Sequence, residues 1–305
     1  MLVNLAILIS CGSFWGLSFT LTRIVMQGGG HPLAVAFWHA AVASALVWAG
    51  LWVTGRTPRL TPGYLRFVAV LGVLGGAGPS ILLFWAAGHI GAGVLSVCMA
   101  TVPLMQIGLS AGLGIERFRA RRLVGLLTGL VAVWMIANPE GGGAPAFWVC
   151  VAALGGFLYA CEDSFIAIRR PPGLSAVQIL AGMMASAALY TAPALLFVAP
   201  MPFDTNAPGR VEAAFLLMVL GSLVAYASFV HLIGRAGPVF ASQVAYVVTA
   251  SGVVAGVLIL GETYKAGFWA ALGLMAIGLA LGLPGGPPRK RGGPDTVISS
   301  GRDPT

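Results

Sequence analysis

From residue 3 to residue 283 the chain is a succession of apolar stretches, each near the length of a bilayer crossing and each ended by Gly, Pro or charge. A spanning helix needs ~20 mostly apolar residues. On that rule ten candidate spans fall near 3–25, 33–53, 64–87, 93–113, 121–137, 146–168, 175–198, 212–232, 239–260 and 266–283. Short connections leave little room for a domain outside the membrane. Composition agrees: 58% of residues are hydrophobic and 9% charged, which excludes an ordinary soluble domain. Met1–Asn4 lacks a positive flank and the first apolar run is long, so it reads as a span and not as a cleavable signal.

Charge gives the expected orientation. Arg56, Arg59, Arg66, Arg117, Arg119, Arg121, Arg122, Arg169, Arg170, Arg235, Arg289, Lys290, Arg291 and Arg302 fall on one side of a ten-span topology. Only Arg23, Arg210 and Lys265 fall on the other. The positive-inside rule then predicts both termini in the cytoplasm. The net charge of +8 is thereby explained by topology, and no nucleic-acid partner is expected.

One passage occurs twice. Glu116-Arg117-Phe118-Arg119 precedes an apolar run, and 146 residues later Glu262-Thr263-Tyr264-Lys265 precedes another. At the same offset Gly88 and Gly91 map onto Gly234 and Gly237, and Ser96 onto Ser242. Asn138-Pro139-Glu140-Gly141-Gly142-Gly143 forms a turn-rich linker between two groups of five spans. Five is odd, so the second copy is inverted, a plan typical of secondary transporters. The predicted fold is thus an all-α integral membrane protein with ten transmembrane helices in two inverted five-helix repeats. The divisions are a first repeat at 1–137, a linker at 138–145, a second repeat at 146–285 and a basic cytoplasmic tail at 286–305, expected to be disordered and placed to touch anionic lipid.

Glycine numbers 43, and six pairs four residues apart lie in apolar runs: Gly12/Gly16, Gly72/Gly76, Gly108/Gly112, Gly125/Gly129, Gly252/Gly256 and Gly278/Gly282. Such pairs let helices approach closely. Cys11, Cys98, Cys150 and Cys161 lack metal or redox spacing and read as small core residues. No cofactor or metal is expected.

The chain resembles the EamA family of the drug/metabolite transporter superfamily. Gly12-Ser13-Phe14-Trp15-Gly16-Leu17-Ser18-Phe19 is similar to that family's opening Trp-Gly signature, and Leu260-Gly261-Glu262 to its repeat-closing Gly-Glu signature. In the first half Gly114-Ile115-Glu116 departs by one inserted residue. The resemblance covers roughly residues 3–283. It implies export or exchange of small metabolites through a cavity lined by spans 1, 3, 4, 6, 8 and 9.

Glu162 and Asp163 are the sharpest candidates for chemistry, because ionisable residues inside spans are costly and commonly functional. Adjacent helical positions lie ~100° apart, so the two carboxylates face different neighbours. One reading makes them proton carriers or counter-charges for a cation; the other makes them ion-pair partners of Arg169 and Arg170. Trp15, Ser18, Thr101, Tyr159, Tyr226, Gln243 and Tyr246 are candidates for substrate binding, as polar or aromatic groups near mid-depth. Trp15, Tyr159 and Tyr246 lead that set because they lie on spans the family resemblance assigns to the cavity. Arg23 is a candidate anion contact or a snorkelling end residue, and His39, His89 and His231 are candidate shuttles. Pro79, Pro103 and Pro193 are expected to kink their helices. Glu116 and Glu262 are expected to fix the turn before each closing helix.

The expected function is that of a secondary transporter in the cell inner membrane, exporting or exchanging a small metabolite such as an amino acid by alternating access. Its partners are the substrate and the bilayer, with the proton as candidate coupling ion. The alternative is a non-transporting membrane subunit or a component of a lipid-linked flippase. An integral-membrane enzyme fits less well, since DDxxD, HExxH, GxSxG, CxxC and P-loop patterns are absent from the sequence.

Overall fold

The computed structural model of the chain describes residues 2–113, 120–137, 144–198, 209–236 and 244–282. All regular structure among them is helical. The helices are α1 Leu2–Gln27, α2 Pro32–Val53, α3 Pro62–Leu71, α4 Gly78–Ala87, α5 Ala92–Met99, α6 Val102–Gly112, α7 Ala120–Ala137, α8 Ala146–Arg169, α9 Ala176–Thr191, α10 Arg210–Ala236, α11 Val244–Leu260 and α12 Ala266–Gly282. Seven helical stretches are long and apolar enough to cross a membrane: Leu2–Gln27, Pro32–Val53, Pro62–Ala87, Ala92–Leu109, Ala146–Arg169, Ala176–Leu196 and Arg210–Leu232. Three shorter apolar helices, Leu123–Ile136, Val244–Leu260 and Ala266–Leu281, accompany them.

Local chemistry sets where the helices begin. Pro32 and Pro62 stand in the first turns of α2 and α3, where a missing N–H costs nothing. The His31 side chain accepts from the Leu33 N–H, and the Thr61 hydroxyl from the Tyr64 N–H. Ser175 and Gln178 form a reciprocal capping box at α9.

Each interior proline coincides with a change of helix type. A π-helical turn, Gly72–Ala77, joins α3 to α4 just before Pro79. The stretch from α5 to α6 breaks at Ala100 and Thr101, just before Pro103. At Pro193, α9 gives way to the 3₁₀ turn Ala192–Leu196. Loss of one backbone donor explains all three.

α5 is buried at every position, and α1, α4, α8 and α11 surround it. α1 packs on α10 and α11, while α8 packs on α4, the π turn and α6. α2 pairs with α9, and α7 with α12. Glycines make several seams. A side chain at Gly16 would meet the Val248 carbonyl at 2.6 Å and the Gly252 nitrogen at 2.7 Å, so α1 and α11 touch nearly backbone to backbone. Gly72 and Gly76 lie against Ser186 and Ala187 of α9, whereas Gly112 faces open space.

Candidate functional site

α8 carries both acidic candidates. Its outer row, Phe147, Cys150, Leu154, Phe157 and Ile168, is exposed and apolar, as a lipid-facing row should be. At ~100° per residue, Asp163 lies nearly opposite that row, on the face that holds the buried Ala152 and Gly156. Asp163 is nevertheless exposed. The neighbouring helices therefore do not close over this side chain at this end of α8.

Glu162 turns toward the neighbouring span. Its carboxylate lies against Gly75 in the π turn, where any Cβ would collide with all three carboxyl atoms. The helix-type change and the missing side chain together make room for it. The Tyr226 hydroxyl donates to the Ala176 carbonyl at 3.3 Å. Ser164, next along α8, is buried and bonds Gln106 of α6 at 3.2 Å. Gln106 was legible as the one amide in the apolar run of α6, although its partner was not.

Tyr159, Glu162 and Asp163 share α8, and Tyr226 of α10 reaches the start of α9. The other candidates do not join them by any described contact. Trp15 packs on Phe229 of α10, ring centroids 5.3 Å apart. Ser18 donates to the Trp15 carbonyl in its own helix. Thr101, 1% exposed, donates to the Cys98 carbonyl at the α5–α6 break. The Tyr246 hydroxyl is buried without a described partner. Gln243 and Glu116 lie outside the described residues. His39 sits edge-on to Phe84, while the exposed His89 stacks on Trp148. Arg169 is exposed, and Arg170 donates to the Leu174 carbonyl.

At the other end a second polar cluster closes the bundle. Arg23 pairs with Glu262, Nε to Oε1 at 3.1 Å, their side chains 19% and 11% exposed. Arg23 also donates to the carbonyls of Ala87, at 3.0 Å, and Ile90. Glu262 accepts the backbone N–H of Ala92 at 2.8 Å and of Gly93 at 3.2 Å. Tyr264 accepts from Gly93 at 3.0 Å and donates to Glu262. Burial first, then that hydrogen bond and the Glu262 charge, hold the Tyr264 phenol above its ordinary pKa, so it stays a donor. Arg23 thus meets a carboxylate instead of snorkelling. Glu262 caps α5, in the other half of the chain, rather than its own closing helix.

The model of the EamA-like transporter family matches residues 2–138. Residues 2–138 form an EamA-family domain. The chain is 27% identical over 275 residues to YedA of Escherichia coli K12, described as an uncharacterised inner membrane transporter, covering 88% of this chain and 86% of YedA. An uncharacterised transporter of Archaeoglobus fulgidus is 29% identical over 128 residues, covering 42% of this chain and 45% of that protein. A solved crystal structure shares the fold, with TM-score 0.61 and 16% identity over 92% of this chain and 96% of that one. The apolar helices and the family match over residues 2–138 together mark a membrane protein.

Proposed function

We propose that this protein is an inner-membrane secondary transporter that moves a small metabolite by alternating access, with Asp163 and Glu162 at its working site. The observation that carries the reading is Asp163: a carboxylate on the bundle-facing side of α8, open to solvent, while the far end is sealed by Arg23 and Glu262. Ionisable groups in spans are expensive and mark substrate or proton paths. The curated relatives are described as transporters, which favours transport over catalysis.

The reading includes two inverted five-span repeats, and the helix partners support it. Exchanging the halves carries α1 on α10 and α11 to α8 on α3–α4 and α5–α6, and both sets of contacts are present. It also carries the pairs α2 with α9, α5 with α11 and α7 with α12 onto themselves. The exchange fails in several places, and one of them bears on the ends of the bundle. α1 packs on α4 and α5, whereas α8 has no substantial contact with α10 or α11 among the described residues. That asymmetry is what one closed and one open end require. The Lys/Arg tally makes the open end cytoplasmic and both termini cytoplasmic.

In this scheme the substrate is a zwitterion or a neutral or weakly cationic molecule, such as an amino acid or a relative of one. Tyr159 and Tyr226 line its approach to Asp163, and Trp15, Ser18, Thr101, Gln243 and Tyr246 belong to the wider lining. Glu162 or Asp163 carries the proton. Uptake of candidate metabolites into proteoliposomes, with and without a pH gradient, tests the scheme. Unchanged, pH-coupled transport in both Asp163→Asn and Glu162→Gln would remove the two carboxylates from it.

A further inference from the structure

We propose that Arg23, Glu262 and the first turn of α5 form a releasable latch: they close one end of the bundle, and their separation opens that end. The purpose of the latch rests on the transport reading, but its geometry does not.

Four parts of the chain meet there. Arg23 comes from α1, and the carbonyls of Ala87 and Ile90 from the end of α4 and the turn after it. The N–H groups of Ala92 and Gly93 open α5. Glu262 and Tyr264 come from the turn between α11 and α12. Helix ends leave carbonyls and N–H groups without intrahelical partners. Here a cation takes two such carbonyls and an anion two such N–H groups, and the ion pair then joins the two ends. Every group in the cluster is satisfied only while the four parts stay together.

The chemistry suits a latch better than a permanent brace. A buried ion pair has a large gross attraction but repays a large desolvation cost, so its net contribution is small. Arg23 and Glu262 keep 19% and 11% of their side-chain surface, so water stands ready to replace each contact as the pair parts. The turn is shaped for the task. Gly261 holds φ at +67°, a backbone favourable to glycine, and returns the Glu262 N–H to the Gly256 carbonyl at 3.1 Å. A Cβ at Gly91 would come within 3.0 Å of the Glu262 carboxylate and one at Gly256 within 2.5 Å. At Gly91 and Gly256 bare backbone comes up to the carboxylate, so the Arg23 ion pair and the hydrogen bonds are what hold it in place.

Thiol accessibility tests the latch without any substrate. Ser96 lies one turn into α5 from Gly93 and is fully buried, and Ser96→Cys is nearly isosteric. Ala167 is exposed one turn beyond Asp163, on nearly the same face of α8. In full-length chain with the four native cysteines replaced, each single cysteine is exposed to a membrane-impermeant maleimide from either side of sealed vesicles. With the latch intact, Cys at 167 labels from its own side and Cys at 96 from neither. With Arg23→Gln or Glu262→Gln added, labelling at 96 from the Arg23 side rises about tenfold or more, and labelling at 167 falls, as a shifted two-state population requires. Should either variant not fold, Arg23→Lys and Glu262→Asp keep the charges, weaken the bonds, and carry the same test with a rise of about threefold. If labelling at 96 stays flat in every folded variant while only thermal stability drops, the cluster is a static brace and the proposal is wrong. Loss of the transport reading would instead appear as absent solute uptake with this labelling pattern intact.

Discussion

Arg23 and Arg169 stand 146 residues apart, each near the end of a long apolar helix, and their surroundings could hardly differ more. Arg23 is four-fifths covered, bound to a carboxylate and two carbonyls. Arg169 is exposed. Arg169 ends its helix, whereas Arg23 lies one turn before the end of α1. What separates them further is whether a carboxylate and unclaimed helix ends arrive beside them. One end of the molecule is therefore held by an ion pair in fixed geometry, whereas at the other Asp163 and Arg169 stay exposed.

The largest expected effect tests the held end. Glu262→Ala strands the Arg23 charge and leaves the N–H groups of Ala92 and Gly93 and the Tyr264 hydroxyl without their acceptor. Leaving one partner of a buried ion pair unpaired costs about 3–5 kcal/mol. Arg23→Ala should cost less, because Glu262 would keep its N–H and O–H donors. Thermal unfolding of purified variants in detergent gives the order, and an Arg23→Ala loss as large as that of Glu262→Ala would break the assignment of roles.

Next is the seam beneath the latch against the open end. Gly16→Ala forces a methyl group against the backbone of α11 and should cost about 1–3 kcal/mol by overpacking. Gly112→Ala meets nothing within 4 Å and should be neutral, or stabilising by up to about 1 kcal/mol in a helix. Equal effects would mean that the α1–α11 approach is looser than described.

Much of this was legible in the sequence, for reasons that can be named. Ten apolar runs of bilayer length are a one-dimensional signal, and each helical stretch falls on one of them. Pro79, Pro103 and Pro193 announced their breaks because a missing N–H acts locally. The adjacency of Glu162 and Asp163 dictated that they would diverge by ~100°. The destinations were not legible. That Glu162 would meet Gly75, or Ser164 meet Gln106, depends on which helices pack and in what register. The Arg23–Glu262 pair escaped for the same reason: it joins residues far apart in the chain, and each had a plausible local role. Trp15 and Thr101 are alike in this: the packing of Trp15 on Phe229 depends on tertiary register and the bond of Thr101 on the α5–α6 break, and their types and depth announced neither.

A third substitution asks whether the two acids are held differently. Gly75→Ala would collide with the Glu162 carboxylate and should cost about 1–3 kcal/mol. Truncating Glu162→Ala in the same chain should recover most of that cost, since the collision involves the carboxylate alone. A double-mutant cycle on thermal stability reads the coupling. Additive effects would show that the carboxylate moves aside freely, and then Gly75 does not position it.

The smallest expected effect on stability is also the one that bears most on function. Asp163 is exposed, and no described ion pair engages it. Asp163→Asn keeps its shape, removes its charge, and should change stability by no more than about 0.5 kcal/mol, as for surface positions generally. Were the residue merely a solvated side chain at a helix end, transport would be equally indifferent. If it is the charge that the open end presents to a substrate or a proton, uptake should fall at least tenfold while the protein unfolds at an unchanged temperature. A large loss of stability would be equally informative, because it would mean that Asp163 has a structural partner and that the contrast between a held end and an open end is wrong.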